Sequence, residues 1–436
     1  MIVPGGGRCV APYFTPGLRF LETIMLNPKR TVEELKELRD LTADENGAWR
    51  VAWTDTWLKA REWFNRKLEG LPVEQHYDAA GNNWVTLKGK SEKALLIGGH
   101  LDSVPGGGWL DGCLNVLAGL EVLRRIAEEY QGNPPVTVRL VDWADEEGAR
   151  FGRSLLGSSA FSGTLEPELE KDRTDKDGIR LEEALRRCGV EMSRMLEAQS
   201  EQKNAAAYLE LHIEQGPVLL DMGLPLGVVL GTFGVERHAI TFRGQAAHSG
   251  STPMHKRKDA FLAASKMASE IYNITDRNGG VSTIGSCITK PGIVTSVVAE
   301  CTITLDQRHL DADALARLKF EAEKASQRFA REGGLPEPEW NTIWRIHPIL
   351  FHPELIEFCD QAIREVAGVS HRLPSGPLHD AAEVARAGIP TVMMFVQSLH
   401  GISHNKIEDT KEEHLELAVQ ALDRLAEKTM HWIAKQ

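Results

Sequence analysis

The sequence has little cysteine and no long apolar segment. Its six cysteines are scattered along 436 residues, without the close pairing of a zinc finger or the density of a small disulfide-stapled domain. No segment approaches the roughly 20 apolar residues of a membrane-spanning helix, and the first residues lack the charged start and apolar core of a signal peptide. We therefore expect reduced thiols, a cytoplasmic protein without a membrane partner, and a frayed arm at residues 1–7.

A strongly basic block is also missing. The formal net charge is −12, which argues against nucleic acid or an anionic membrane as the main partner. A small-molecule partner is compatible with this charge. The length of 436 residues is enough for about two or three domains.

What the sequence does contain is a glycine-rich stretch that follows a short apolar run. The run 94–97 carries no charge and predicts a buried strand that ends at His100. Residues two apart in a strand share a face, so Asp102 is placed to orient a metal-binding imidazole. Asp111 follows three glycines and precedes the helical pattern 113–126, which suits either a metal ligand or an N-cap. Taken singly, a histidine at a strand end is more often an ordinary polar residue than a ligand.

A pair of adjacent glutamates follows the next predicted strand, 136–143. Glu146 and Glu147 cannot point in one direction in a turn, so one carboxylate can hold a metal while its neighbour holds a water. The alternative is a solvated acidic turn favoured by the dipole of the following helix.

Two further histidines stand on or just after predicted strands. Residues 207–214 alternate strictly, which places Glu210, His212 and Glu214 on one face. His404 follows the apolar strand 391–396. These histidines are the third and fourth candidate ligands.

The order of elements predicts a mixed, largely parallel sheet between helices, interrupted by a smaller α+β unit. The predicted elements are helices 32–41 and 57–68, strands 73–76, 84–87, 95–98 and 136–143, one or two surface helices within 165–204, and, in the smaller unit, strands 234–243 and 293–306 with helices 259–272 and 312–331. We expect one domain in two parts, 1–230 and 347–436, with a second domain inserted at 231–346.

Six motifs are specific when taken together: GGHLDSVPGGGWLDG, DEEGARF, LHIEQGP, GQAAHSGSTPM, LDQRH and GISHN. From about Thr31 onward the chain resembles the dimetal aminoacylase and carboxypeptidase superfamily. The resemblance is to its branch of N-carbamoyl-L-amino-acid amidohydrolases, allantoate amidohydrolase and β-ureidopropionase. It implies an α/β catalytic domain with an inserted ferredoxin-like lid that also forms a homodimer.

The resemblance further implies two divalent cations, with zinc as the default and manganese, cobalt or nickel fitting the same donors. A hydroxide bridging the two metals would attack an amide or ureido carbonyl. The implied roles are His100 and His212 on one metal, Glu147 and His404 on the other, Asp111 bridging them, Glu146 as general base, Asp102 orienting His100, His248 stabilising the oxyanion, Arg308 gripping the substrate carboxylate, and Gln215, Thr295, Leu378 and His248 in contact with substrate.

Two positions depart from the usual pattern of the branch. Thr295 stands where an asparagine is usual and Leu378 where a glycine is usual. Both changes concern substrate recognition rather than the chemistry of hydrolysis. We expect hydrolysis of an N-carbamoyl-L-amino acid or a related ureido acid.

Other readings stay open at this point. An aminoacylase or small-amide hydrolase would use the same mechanism, and a non-catalytic metal-dependent binding protein would use the same ligands. Arg308 equally suits a surface salt bridge, and His248 and Arg308 fit either their own site or that of a partner subunit.

Overall fold

The computed structural model describes residues 26–436, so the expected N-terminal arm and Cys9 lie outside the described residues. Its strands are β1 (Ala43–Asp44), β2 (Gly47–Ala48), β3 (Glu74–Tyr77), β4 (Asn83–Leu87), β5 (Ala94–His100), β6 (Thr137–Trp143), β7 (Ala205–Ile213), β8 (Leu226–Thr232), β9 (Gly234–Arg243), β10 (Val281–Lys290), β11 (Glu300–His309), β12 (Glu339–Ile346), β13 (Ile349–Leu350), β14 (Arg372–Ser375) and β15 (Thr391–Val396). Its α-helices are α1 (Pro28–Thr42), α2 (Asp55–Arg66), α3 (Cys113–Glu129), α4 (Leu156–Ser162), α5 (Pro167–Glu170), α6 (Leu181–Arg187), α7 (Val218–Met222), α8 (Ala260–Asn278), α9 (Ala312–Glu332), α10 (Pro353–Ala367), α11 (Asp380–Arg386) and α12 (Glu412–Ala434). Shorter 3₁₀ segments cover Met192–Gln202, Met254–Lys256 and Leu399–Gly401.

The larger sheet has nine strands, in the order β13, β8, β15, β7, β5, β6, β4 and β3, with β14 also paired to β8. β5 runs parallel to β6 and β7, and β15 runs parallel to β7. These four strands are almost entirely buried, which explains why they read as apolar runs. Because they point the same way, their carboxyl ends meet at one edge of the sheet.

Helices cover the faces of this sheet. α3 is buried along most of its length because it packs on β5, β6 and β7 and is flanked by α1 and α12. Its apolar side chains join those of the strands in one continuous core. The mixed α/β architecture predicted from the sequence is confirmed.

A separate four-stranded antiparallel sheet has the order β10, β11, β9 and β12. α8 and α9 pack on it and form their own apolar cluster with the sheet, which includes Phe242, Met267 and Leu318. β11 alternates between buried and partly exposed residues, as expected of a strand covered on one face.

Most predicted elements of the larger sheet are confirmed within a few residues, but the smaller sheet differs from expectation. The strand predicted at 293–306 is wrong in its first half, because β11 begins at Glu300 and the preceding residues form a loop. β10 and β12 escape prediction because most of their side chains are exposed and show no apolar alternation. The segment 165–204 holds α5, α6 and a 3₁₀ stretch. Within residues 26–436, none of the helices combines the length and the apolar character needed to cross a bilayer.

Candidate active site

Five predicted ligands meet at the carboxyl edge of the larger sheet. His100 ends β5, Glu147 follows β6, His212 lies near the end of β7, Asp111 precedes α3 and His404 follows β15. Ligand atoms of His100, Asp111 and His212 lie within 4.8 Å of one another, and so do those of Asp111, Glu147 and His404. Each group has the nitrogen and oxygen donors of a metal site.

Asp111 belongs to both groups, and its two oxygens face different histidines. Its Oδ1 lies 3.1 Å from Nε2 of His212 and 3.9 Å from Nε2 of His100. Its Oδ2 lies 3.5 Å from Nε2 of His404, which in turn lies 3.3 Å from Oε2 of Glu147. This arrangement suits a carboxylate that bridges two cations.

The two buried histidines are held in one tautomer. Nδ1 of His100 lies 3.1 Å from the backbone carbonyl oxygen of Asp102, and Nδ1 of His212 lies 2.8 Å from that of Ile213. A carbonyl oxygen only accepts hydrogen bonds, so Nδ1 of each neutral ring is the protonated nitrogen. The Nε2 atoms that face Asp111 are then left with a lone pair for a metal.

A further observation indicates that these donors suit divalent metals. Nε2 of His100 and Oε1 of Glu147 are buried without a hydrogen-bond partner, a costly arrangement that bound cations would relieve. The absence of a side chain at Gly112 leaves room for the imidazole of His100, since a Cβ at Gly112 would lie 2.2–2.4 Å from three atoms of that ring. Gly112 also has a φ of 68°, which glycine adopts without strain.

Asp102 contacts His100 differently from the expectation. Nδ1 of His100 donates its hydrogen bond to the backbone carbonyl of Asp102, while the carboxylate Oδ1 lies 3.5 Å from that nitrogen. The carboxylate instead accepts the backbone N–H groups of Glu146 and Glu147, each at 3.2 Å. Asp102 therefore also fixes the turn that carries both glutamates.

Glu146 lines a cavity of about 280 Å³ together with most of the candidate ligands. Its Oε2 lies 3.7 Å from Nε2 of His100. Burial raises the pKa of Glu146 well above its ordinary value; His100 opposes the rise, and the neighbouring Asp380 and Glu147 carboxylates add to it. A raised pKa makes a carboxylate a stronger proton acceptor, which suits a general base.

Gln215 donates a hydrogen bond to one candidate ligand and also lines the cavity. Its side-chain amide donates to Oδ2 of Asp111 at 2.9 Å, and the hydroxyl of Ser403 donates to the same oxygen at 2.9 Å. These two donors fix the carboxylate that the two ligand groups share.

His379 was not among the predicted site residues. Its ring centroid lies 4.3 Å from that of His212, its buried Nε2 has no partner, and it lines the same cavity as Glu146. Burial, reinforced by the neighbouring His212, lowers the pKa of His379 well below its ordinary value, so the ring is neutral at neutral pH. The sequence signal was its position directly after Leu378 in the segment 375–381.

Glu408 also escaped prediction, because it stands in a run of mixed charges that is typical of a solvated surface. It is only 2% exposed and accepts the N–H groups of Leu110 and Asp111, and its Oε2 lies 2.9 Å from the hydroxyl oxygen of Ser403. Burial and the charge of Asp111 raise its pKa to about 7. Glu408 thus anchors the loop that carries Asp111, the candidate ligand common to both groups.

Arg308 and Leu378 line the cavity from opposite sides of the cleft between the two sheets. Arg308 donates from Nη1 to the backbone carbonyl of Gly376 at 3.1 Å and from Nε to Oδ1 of Asp306 at 2.9 Å. Its guanidinium therefore spans the cleft beside the candidate ligands.

His248 and Thr295 lie elsewhere on the described chain. Both are exposed and neither lines the cavity. Nδ1 of His248 accepts the backbone N–H groups of Gly250 and Ser251, both at 3.1 Å, and the carbonyl of Thr295 accepts the N–H of Ser249. The two residues are near each other but are not brought to the ligands of their own chain.

Comparison with known proteins decides the family. The model of the peptidase family M20/M25/M40 matches residues 96–428, which include all five candidate ligands. The chain belongs to this family.

Among its M20 relatives, the chain is 33% identical over 395 residues to an N-carbamoyl-L-amino acid amidohydrolase of Geobacillus stearothermophilus, covering 89% of this chain and 95% of that protein. It is 30% identical over 407 residues to the allantoate amidohydrolase of Escherichia coli strain K12, covering 90% and 96%. A solved structure of an amidase of the hydantoinase/carbamoylase family from Burkholderia multivorans superposes with a TM-score of 0.81 at 31% identity, covering 93% of this chain and 98% of that one. The predicted family resemblance is confirmed.

Proposed function

We propose that the chain is a dimetal amidohydrolase that cleaves the C–N bond of an N-carbamoyl-L-amino acid or a related ureido acid. The observation that carries this proposal is Asp111, whose two oxygens face two separate groups of metal-ligating side chains. The names of the two relatives above support a carbamoyl or ureido substrate. The chain is a hydrolase of C–N bonds other than peptide bonds.

Two divalent cations would be held at the site. His100, Asp111 and His212 would hold one, and Asp111, Glu147 and His404 the other. When bound, such cations lower the pKa of a water molecule and polarise the substrate carbonyl. Zinc is the default for these donors, and manganese, cobalt or nickel also fit them.

Glu146 is the general base in this proposal. It takes a proton from the attacking water and returns it to the leaving nitrogen, so a single carboxylate serves both halves of the reaction. Its place in the cavity and its raised pKa support this role. Asp102 holds the backbone of Glu146 in position through the hydrogen bond described above.

In this proposal, the substrate is recognised by residues that line the cavity but are not metal ligands. Arg308 carries a planar guanidinium suited to a bidentate contact with a substrate carboxylate. Gln215 offers a side-chain amide beside the ligands, and Leu378 limits the room left for the acyl group.

We infer that residues 231–346 form a lid and that this lid joins two copies of the chain. β10 is an outer strand of the smaller sheet, and Ile288 on it is 61% exposed. On α8, Phe261, Leu262 and Tyr272 are 46%, 50% and 70% exposed. Apolar side chains beside an open sheet edge are typical of an interface. The catalytic domain would then comprise 1–230 and 347–436.

In such a homodimer, His248 and Thr295 would serve the site of the partner subunit. Their distance from the cavity of their own chain supports this assignment, since His248 is needed beside the substrate carbonyl to stabilise an oxyanion. The five described cysteines are unpaired, which supports a cytoplasmic location.

Hydrolysis by metal-loaded protein tests the proposed function. Protein reconstituted separately with zinc, manganese, cobalt or nickel is incubated with the N-carbamoyl, N-acetyl and primary amide forms of one L-amino acid, and the released product is quantified. We expect the N-carbamoyl form to be cleaved, a chelator to abolish turnover, and added metal to restore it. Cleavage of the N-acetyl form alone would make the protein an aminoacylase, and cleavage of none would leave a metal-dependent binding protein.

A further inference from the structure

A larger cavity of about 850 Å³ opens beside the one that holds the candidate ligands. Its walls come from the loop after β7, from β10 and β11 of the smaller sheet, and from β14 with the loop that follows it. The two cavities share the following lining residues: Gln215, Phe233, Arg308, Gly376 and Pro377. A small molecule held by Arg308 therefore has access to both.

The wall of the larger cavity is mostly apolar. Phe233, Val281 and Pro374 line it with accessible apolar side chains, and the core residues Leu373 and Phe395 border it. A pocket of this kind gains affinity from apolar ligand surface that it removes from water.

The charged side chains on this wall are largely partnered within the protein. Arg237 donates two hydrogen bonds to Oδ2 of Asp306, at 2.8 and 2.6 Å. Glu214 accepts two backbone N–H groups at the start of α7, at 2.7 and 2.8 Å. Arg372 pairs with Glu357 at 2.7 Å. Since Arg237 and Arg308 share the single carboxylate of Asp306, one positive charge remains at the junction of the two cavities.

This geometry divides a substrate into three parts. The scissile carbonyl belongs in the smaller cavity with Glu146, and the carboxylate belongs on Arg308. The remaining substituent on the α-carbon then points into the larger cavity. We propose that this cavity is the side-chain subsite and that the enzyme acts on N-carbamoyl-L-amino acids with large apolar side chains, above all aromatic ones. This inference rests on the proposed function for the placement of the carbonyl and the carboxylate.

Gly376 gives a way to fill the subsite. A Cβ added there would meet no atom within 4 Å, and its backbone is not among the glycines with positive φ. A side chain at this position therefore projects into open space without backbone strain. On the opposite wall, Val281 is 51% exposed and lines the same cavity, so a larger residue there reduces the volume independently.

The test compares N-carbamoyl derivatives of glycine, L-aspartate, L-leucine and L-phenylalanine. Equilibrium affinities are measured by calorimetry on metal-depleted protein, where no turnover occurs, and kcat/KM on metal-loaded protein. We expect the phenylalanine derivative to bind at least about 10-fold more tightly than the glycine derivative, with leucine between them and aspartate weakest. In the series Gly376→Ala, Gly376→Val and Gly376→Phe, the ratio of phenylalanine to glycine affinity should fall stepwise as the added volume grows.

Equal affinity for all four derivatives, or an affinity ratio that Gly376→Phe leaves unchanged while the protein stays folded, would overturn the proposal. Should Gly376→Phe fail to fold, Val281→Phe is expected to lower the same ratio, and an unchanged ratio there would overturn it equally. The binding experiment separates this inference from the proposed function. Selective binding without hydrolysis contradicts the proposed activity but supports the side-chain subsite. Hydrolysis without a side-chain preference supports the activity but contradicts the subsite.

Discussion

Arg308 and Asp306 lie two residues apart on β11 and join in a hydrogen bond of 2.9 Å between Nε and Oδ1. The other oxygen of Asp306 accepts both hydrogen bonds from Arg237. The carboxylate therefore orients the guanidinium of Arg308 while Arg237 balances its charge. Arg308 keeps the net positive charge that a substrate carboxylate needs.

The first prediction concerns this pair. Asp306→Asn weakens the orientation of Arg308, so KM for a carboxylate-bearing substrate should rise about 10-fold with little change in kcat. The same variant should leave KM unchanged for the corresponding substrate whose carboxylate is replaced by a neutral amide. Asp423→Asn, which weakens a different Asp–Arg pair between Asp423 on α12 and Arg125 on α3, is the matched control. Equal effects on charged and neutral substrates would show that Asp306 is only structural.

The second prediction separates proton transfer from metal binding. Glu146→Gln removes the general base but none of the proposed ligands, so kcat should fall about 10²–10⁴-fold while metal content, measured by elemental analysis, stays at the wild-type level. Glu34→Gln is the control, because Glu34 is another buried carboxylate and pairs with Arg124 instead. Retained activity in Glu146→Gln would remove it from the mechanism.

The third prediction compares two glycines that both have a positive φ. Gly112 and Gly223 have φ of 68° and 66° and ψ of −51° and 27°. An alanine costs about 1 kcal/mol in backbone strain at Gly223, which lies in the left-handed helical region, and more at Gly112, so metal affinity is the measurement that reports contact with His100. Only at Gly112 does the new Cβ meet the imidazole of His100, whereas at Gly223 it meets no atom within 4 Å. Gly112→Ala should therefore lower both Tm and metal affinity further than Gly223→Ala. Equal losses of Tm, with equal metal affinity, would exclude a packing role for Gly112 around His100.

The fourth prediction tests the sharing of residues between subunits. His248→Ala and Glu146→Gln should each be nearly inactive alone. In a mixed dimer, the His248→Ala chain keeps Glu146 and receives an intact His248 from the partner. Co-expression of the two variants in equal amounts should therefore restore about a quarter of wild-type activity, since half of the dimers are mixed and one of their two sites is complete. Absence of recovery in proteins that do form mixed dimers would place His248 in its own site.

Sequence and structure agree best where the chain is buried on both sides. β5 and α3 follow their apolar patterns closely, because continuous burial leaves a continuous apolar signature. β10 and β12 lie at the two edges of the smaller sheet and are mostly exposed, so their sequences carry no such signature.

For the candidate site too, the sequence predicts some residues and not others. His100 and His212 were marked by strand patterns, but their convergence with His404 depends on strand order, which local spacing does not encode; the family resemblance supplied it. His379 and Glu408 were missed since a buried polar residue next to a ligand looks, in sequence, like any polar residue in a loop.

Metal stoichiometry tests the central claim, that Asp111 joins two cation sites, most directly. Elemental analysis of the metal-loaded wild type should give two divalent ions per chain, because the structure has two ligand groups. His404→Ala should retain about one ion, since only the second group loses a ligand, whereas Asp111→Ala should lose both. A wild-type chain that binds no tight metal, or an Asp111→Ala variant that retains two ions, would contradict the account.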